Sequence, residues 1–277
     1  SVFWGGHAAS VAARELGIPY LVTEHWSGYG DGEVTAWQGT VATRVFREAG
    51  AVVCVSKALA NALESYVGGR EVGVIANPID TDFFDLPHEP PPKHPFTVVT
   101  IAGLREVKRL DLLLTAFAAA FGPRQGVQPG SVPSARLLIG GGGPEHAALL
   151  ALAKRLGIEE QVEWAGPVSR EGVRRHVFVS SSRTETFGMA IAEAQAAGLP
   201  VIATRSGGAE EILSAESGVL VPVDDTRALT EALLGLARHG WSGAGPSEIR
   251  AGIVGRFRSN AGAEQILAVY ERVRAAR

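Results

Sequence analysis

Ser180-Ser181-Ser182-Arg183-Thr184-Glu185-Thr186-Phe187-Gly188-Met189-Ala190-Ile191-Ala192-Glu193-Ala194, followed by Gly198-Leu199-Pro200-Val201-Ile202-Ala203-Thr204 and Gly207-Gly208, is the stretch from which the fold reads outward. The apolar run Val177-Phe178-Val179 gives way to polar residues, as a buried parallel strand does at its carboxyl edge. Gly198 with Pro200 stops the helix that opens near Gly188, and a strand and a glycine loop follow. The first amides of that helix, at Gly188, Met189 and Ala190, have no intrahelical partner, and Gly188 has no side chain to hold an anion away. This is the composition of a phosphate seat. Glu185 precedes the helix; Glu193 sits about a turn and a half inside it and leans back toward the N-terminus, so two carboxylates flank one anion site. A carboxylate beside phosphate is repelled unless it accepts hydrogen bonds from neutral groups, which points to sugar and ribose hydroxyls. On spacing alone, a surface helix with two solvated glutamates fits equally well.

Glu-Thr-Phe-Gly, the second glutamate after seven intervening residues, Ala-x-x-x-Gly-Leu-Pro-Val-Ile-Ala-Thr and Gly-Gly-x-x-Glu together resemble the retaining nucleotide-sugar glycosyltransferases of the two-domain GT-B fold, the glycogen-synthase-like and sucrose-synthase-like group. The resemblance implies that Glu185 lies near the transferred sugar. It implies that Phe187, Gly188 and Met189 present backbone groups to sugar and phosphate, and that Glu193 holds the ribose.

At 277 residues and 46% hydrophobic, the chain is long enough for a sizeable core and two lobes. Its net charge of -3, without a basic block, gives no footprint for nucleic acid, and no apolar run approaches the ~20 residues of a spanning helix. The lone Cys54, inside Val52-Val53-Cys54-Val55, reads as a core thiol, and no metal set is evident. The expected compartment is the cytoplasm, with peripheral membrane association left open. Ser1 is not an initiator methionine, so a longer gene product is expected.

Working along the chain, Ala8 to Leu16 with Gly17 as stop reads as a helix and Pro19 to Thr23 as a strand. Glu24-His25-Trp26-Ser27-Gly28-Tyr29-Gly30-Asp31-Gly32 reads as a ligand loop rich in groups that bind polyols. A lone histidine there is more often structural, but the resemblance implies that His25 contacts donor sugar or acceptor. Helix Val34 to Ala49, strand Ala51 to Val55, a Ser56 cap with helix Lys57 to Tyr66, and strand Val72 to Ala76 follow, giving the first lobe three strands. Asn77-Pro78-Ile79-Asp80 matches the family's strand end, and the proline-rich residues after it read as a stiff linker.

Strand Phe96 to Ala102 leads into Gly103-Leu104-Arg105-Glu106-Val107-Lys108-Arg109 and helix Asp111 to Phe121. Taken alone, this cationic loop is a solvated basic turn or a second anion site. The resemblance implies that Lys108 neutralises the donor diphosphate with an arginine five residues earlier. That position is Gly103 here, so the partner charge falls to Arg105 or Arg109. Gly122 to Ser134 reads as a mobile insertion. After strand Ala135 to Ile139, the turn Gly140-Gly141-Gly142-Gly143 lacks a P-loop ending, and the resemblance implies that Gly142 lies beside the nucleotide. Helix Glu145 to Leu156, strand Gln161 to Ala165, a shortened helix within Val168 to His176, strand Gly218 to Pro222, and helix Asp225 to Ala237 complete the second lobe. A last amphipathic helix, Ala261 to Arg277, carries Ile266, Leu267, Tyr270 and Val273 on one face.

The expected class is α/β: two Rossmann-like lobes with parallel sheets, the first incomplete. Residues 1–84 plus 258–277 form the acceptor-side lobe, 85–95 the linker and 96–257 the nucleotide-sugar lobe. The implied reaction moves a sugar from a nucleoside-diphosphate sugar, expected to be a UDP- or GDP-sugar, to an acceptor hydroxyl with retention. His25, Lys108 and Glu185 are the catalytic candidates; Arg105, Gly142, Phe187, Gly188, Met189, Ala190 and Glu193 bind the donor. No cofactor is obligatory. The acceptor, whether carbohydrate, lipid-linked or small molecule, is not readable, and a non-catalytic two-lobed binding protein is the rival reading.

Overall fold

The computed structural model describes residues 2–84, 95–123, 134–166 and 176–275. The proline-rich linker, most of the Gly122 to Ser134 insertion and the shortened helix before His176 lie outside the described residues. Backbone contacts divide the chain into two compact units, residues 1–78 with 184–187 and 256–277, and residues 79–183 with 188–255.

The first unit opens on a π-helical turn, Val2–Gly6, continued by α1 (His7–Leu16), which Gly17 ends in the left-handed conformation at φ 61°. β1 (Leu21–Glu24), β2 (Ala51–Cys54) and β3 (Gly73–Val74) form a parallel sheet in that order, with Val22 opposite Val52 and Val53 opposite Gly73. β3 keeps only two of the five residues expected from Val72 to Ala76, although Ile75 N still bonds Cys54 O at 2.9 Å. Between the strands run α2 (Ala36–Glu48) and α3 (Lys57–Val67). Thr35 and Gln38 close a capping box at the start of α2, and Ser56 Oγ accepts from Leu59 N at the start of α3. The end of α2 is satisfied from afar. Arg70 Nη1 donates to the carbonyls of Phe46, Arg47 and Ala49 at 2.7–3.0 Å, a cation on the negative end of the helix dipole. Cys54 is buried and its thiol donates to Ser56 O.

The second unit holds six parallel strands, β4 (Phe96–Ile101), β5 (Ala135–Gly140), β6 (Val162–Gly166), β7 (Val177–Ser180), β8 (Val201–Thr204) and β9 (Gly218–Val221). Their order across the sheet is β6-β5-β4-β7-β8-β9. Every residue of β7 and β8 is buried, as strands covered on both faces require. α4 (Leu110–Phe121), α5 (His146–Arg155), α6 (Met189–Ala196), α7 (Gly208–Ile212), α8 (Thr226–His239) and α9 (Pro246–Phe257) connect or cover them. α4 is apolar nearly all round, with Leu113, Leu114 and Phe117 at 0% exposure, because it lies in the core that also contains Leu229 and Leu233 of α8.

Two helices go beyond the sequence expectation. Gly207-Gly208 reads as loop, yet α7 starts there because Glu210 reaches back to accept from Gly207 N at 2.8 Å. α9 follows a glycine-rich segment in the same way: Glu248 accepts from Gly245 N at 2.8 Å and Pro246 takes the first helical position, where a missing N–H costs nothing.

The final helix, α10 (Ser259–Ala275), belongs to the first unit and corrects the expected apolar face. The covered stripe is Gly262, Ile266, Val269 and Val273, whereas Leu267 and Tyr270 are 59% and 52% exposed. Gly50 and Gly262 decide this rotation. A Cβ on Gly50 would lie 2.6 Å from Val273 Cγ1, and Gly262 faces Ala76 and Pro78, so the small positions draw the helix in along that arc.

Candidate functional site

In the second unit, strands leave β4 in both directions: β5 and β6 lie to one side, β7, β8 and β9 to the other. The strand order thus reverses at β4, and the carboxyl edge at such a switch point is where open parallel sheets form the crevice that binds ligands. The loops after β4 and β7 carry Lys108 and Gly188. Ser181 Oγ donates to Lys108 O at 2.9 Å and Arg183 N to Val107 O at 2.8 Å, so the two loops are hydrogen-bonded to each other. Gly103 and Gly142 are adjacent through Leu104 N and Gly142 O at 3.0 Å, and a Cβ at either would meet nothing within 4 Å.

Gly188 is the N-cap of α6 at φ 95°, and no side chain caps the helix start. Met189 is 38% exposed and Ala190 half-buried, whereas the Phe187 side chain is buried against Phe257, ring centroids 5.3 Å apart. Only the backbone of Phe187 is therefore available to a ligand. Glu193 is half-buried, and burial pushes its carboxyl above the ordinary range. A carboxyl raised in the folded state destabilises the fold when ionised. That cost is absent below the unfolded pKa, grows as pH rises through the folded value and is complete above it. Glu193→Gln is thus expected to raise Tm at pH 7, to lose that advantage below pH ~4, and to weaken nucleotide binding by about 1–3 kcal/mol. Parallel melting curves and calorimetric titrations with a nucleoside diphosphate at both pH values check this.

The cationic loop separates its two arginines. Arg105 is exposed, while Arg109 adopts φ 47° and is ion-paired with Asp111 at 3.0 Å and with Asp224. Both arginines, with Arg183 and Glu145, line a cavity of about 270 Å³. Asp224, in the turn after β9, is not legible from sequence as part of this group, because nothing in its local sequence announces a partner 115 residues earlier.

In the first unit, His25 is exposed at the end of β1 and lines a cavity of about 250 Å³ with Thr23, Cys54 and Asn77. The loop that follows is less of a polyol surface than its composition suggests. Glu24 is 3% exposed and its Oε1 accepts from His25 N and Trp26 N at 2.9 and 3.0 Å, which fixes the turn that presents His25. Tyr29 is buried among Phe3, Trp26, Phe46 and Tyr66, and burial, reinforced by the Glu24 charge, pushes its phenol well up. The Trp26 ring packs directly on Gly28, where a Cβ would fall 2.1 Å from it, so a larger residue would have to displace the ring. A strand-end loop interleaving aromatics with glycines can thus be a small core instead of a ligand surface. Thr184 Oγ1 donates to Asp31 Oδ1, so the residue before Glu185 is anchored to this loop. Glu185 itself is half-buried.

Among the described residues no helix is long and apolar enough to cross a membrane. The sequence matches the family model for glycosyl transferases group 1 over residues 83–239 and that for Glycosyltransferase Family 4 over residues 1–83. It is 30% identical over 238 residues to a phosphatidylinositol N-acetylglucosaminyltransferase subunit of Arabidopsis thaliana, covering 82% of this chain and 51% of that protein. It is 30% identical over 183 residues to the N-acetyl-alpha-D-glucosaminyl L-malate synthase of Bacillus anthracis, covering 64% and 44%. The chain spans about half the length of these relatives. Among solved structures, Anabaena HepE in complex with UDP-glucose superimposes with a TM-score of 0.82 at 21% identity, over 96% of this chain and 76% of that one. Sucrose-phosphate synthase from Thermosynechococcus elongatus gives 0.81 at 21%, over 98% and 73%. Two parallel sheets and these neighbours give the GT-B fold, and the chain belongs to the group 1 glycosyltransferases.

Proposed function

We propose that this chain transfers a sugar, with retention, from a nucleoside-diphosphate sugar to an acceptor hydroxyl. Residues 96–257 serve as the donor lobe, 85–95 as the linker, and 1–84 with 258–277 as the acceptor-side lobe. The observation that supports the reading is the sheet's switch point, from which both the Lys108 loop after β4 and the segment after β7 that leads to α6 depart, the two held together by Ser181 Oγ on Lys108 O. The bond from the anomeric carbon to the diphosphate breaks, the acceptor oxygen takes its place, and the acceptor proton passes to the departing diphosphate. Charge therefore develops on the departing diphosphate, where Lys108, Arg105 and the amides of Gly188, Met189 and Ala190 stabilise it. Glu193 takes the ribose hydroxyls, Gly142 lies beside the nucleotide, and Glu185 and His25 orient the sugar. A UDP- or GDP-sugar is the donor we expect, and the solved complex of HepE with UDP-glucose supports a nucleotide-sugar donor. Cytoplasmic action suits such a donor, and the relative named as a phosphatidylinositol N-acetylglucosaminyltransferase subunit keeps a lipid-linked acceptor in view.

A thermal-shift screen with UDP-, GDP- and ADP-sugars tests the reading; stabilisation by none of them at millimolar concentration would sink it. Gly103 favours a second reading, a non-catalytic sugar or nucleotide-sugar binding protein, because the expected arginine is missing. Transfer of labelled sugar separates the two. The open space at Gly103 adds a gain-of-function test: Gly103→Arg meets no atom at its Cβ and is expected to tighten donor binding about tenfold through a charge-assisted contact. Unchanged affinity in calorimetry would place the diphosphate away from this loop.

A further inference from the structure

The loop after β4 holds two adjacent cations, Lys108 and Arg109, and the structure treats them differently. Arg109 sits at φ 47°, a left-handed conformation that a residue with a side chain adopts only when its surroundings impose it. Its side chain is 16% exposed. Nε and Nη2 donate to the two carboxylate oxygens of Asp111 at 3.0 and 3.2 Å, and Nη1 pairs with Asp224 Oδ1. Asp224 is likewise left-handed, at φ 58°, and its Oδ2 takes Arg183 Nε at 3.4 Å. Two arginines thus meet two aspartates. The group is neutral as a whole and joins the exits of β4, β7 and β9, while Arg183 N and Ser181 Oγ hold the carbonyls of Val107 and Lys108.

We infer that Arg109 is a positioning residue: clamped by Asp224 and Asp111, it fixes the backbone that presents Lys108 to the donor diphosphate and does not touch the donor itself. The inference rests on the reading of Lys108 as the diphosphate ligand. It also assigns the charge missing at Gly103 to Arg105, which stands exposed on the same loop outside the ion-pair group. A planar guanidinium suits the clamp because its fork meets one carboxylate in two places and leaves a nitrogen for the other, a geometry that lysine lacks.

Calorimetry on the chain with UDP and GDP, each compared with its monophosphate, gives the readout, taken on whichever base binds more tightly. The wild type is expected to prefer the diphosphate by at least tenfold, and Lys108→Ala to abolish the preference. Arg109→Gln and Asp224→Asn, which break the clamp from opposite sides, are each expected to cut it about tenfold and leave monophosphate affinity within twofold. In the double variant Lys108→Ala with Arg109→Gln, the second substitution should add nothing. A wild-type preference in both clamp variants overturns the inference, as does an equal loss of mono- and diphosphate, which marks a merely structural role. Additive losses in the double variant overturn it too, because they mark direct contact. Should Arg109→Gln fail to fold, Asp224→Asn decides. A wild type that binds no nucleotide overturns the donor reading itself, and this inference with it, whereas nucleotide binding with unaltered clamp variants overturns the inference alone.

Discussion

Lys108→Ala is expected to lower kcat by two to three orders of magnitude while changing donor KM far less, because a preorganised cation aimed at a departing diphosphate acts mainly on the transition state. The corresponding barrier increase is about 3–4 kcal/mol. The loop should survive the substitution, since Arg183 N and Ser181 Oγ hold the backbone carbonyls of Val107 and Lys108 and Asp224 holds the side chain of Arg109. Initial rates of labelled-sugar transfer, with circular dichroism to confirm folding, check it. A folded Lys108→Ala protein within fivefold of wild-type kcat would remove the loop from the reaction. Arg105→Ala belongs in the same series. A normal turnover there would show its charge to be merely solvated, and the second cation would have to be sought elsewhere.

The largest effect on stability is expected at Gly141. Its φ is 114°, and a Cβ would fall 2.0 Å from the Ala102 carbonyl oxygen, a backbone atom that cannot swing aside. The same turn is bound on both sides, Gly141 N to Gly166 O at 2.6 Å and Leu104 N to Gly142 O at 3.0 Å, so relief requires parting β5 from β4, which also pulls on its bond to β6. Gly141→Ala should therefore cost about 3 kcal/mol or more, against under 1 kcal/mol for Gly142→Ala, whose Cβ meets nothing within 4 Å. Urea unfolding of the two variants side by side makes the comparison. Equal midpoints would mean that the turn is not held as described. The glycine run thus combines two demands: close approach at Gly141 and Gly143, open space at Gly142.

The alternation of strands and helices is legible in the sequence because each boundary has a local cause. Ser56 caps α3, Asp225 caps α8 through Ala228 N, and Gly17 adopts the left-handed stop after α1. The α6 helix start is legible for the same reason. What escapes a sequence reading are features made by reach. α7 and α9 begin because a glutamate three residues on closes back to a glycine amide, a cap with no polar residue at the cap position itself. The covered stripe of α10 is set by Gly50 and Gly262, whereas a search for large apolar residues selects Leu267 and Tyr270 instead. Glu24 has the chemistry of a ligand group, but its carboxylate is bonded to two amides of its own turn. The group around Arg109 needs Asp224, which only the sheet order brings near.

The pairing of β4 with β7 also bears on the order in which the second unit assembles. Val98 lies opposite Val177, and Thr97 N meets His176 Nδ1 across a sequence separation of 79 residues, with β5, α5 and β6 inserted between the partners. Closing so long a loop is slow, and its entropy must be met before the contact returns anything. The β4-β5-β6 half can form from neighbouring segments while the crevice does not yet exist, since one of its walls is the loop after β7. A nucleotide should then leave the refolding rate nearly unchanged and act on the unfolding rate alone, by binding a site that requires the long-range pairing of β4 with β7.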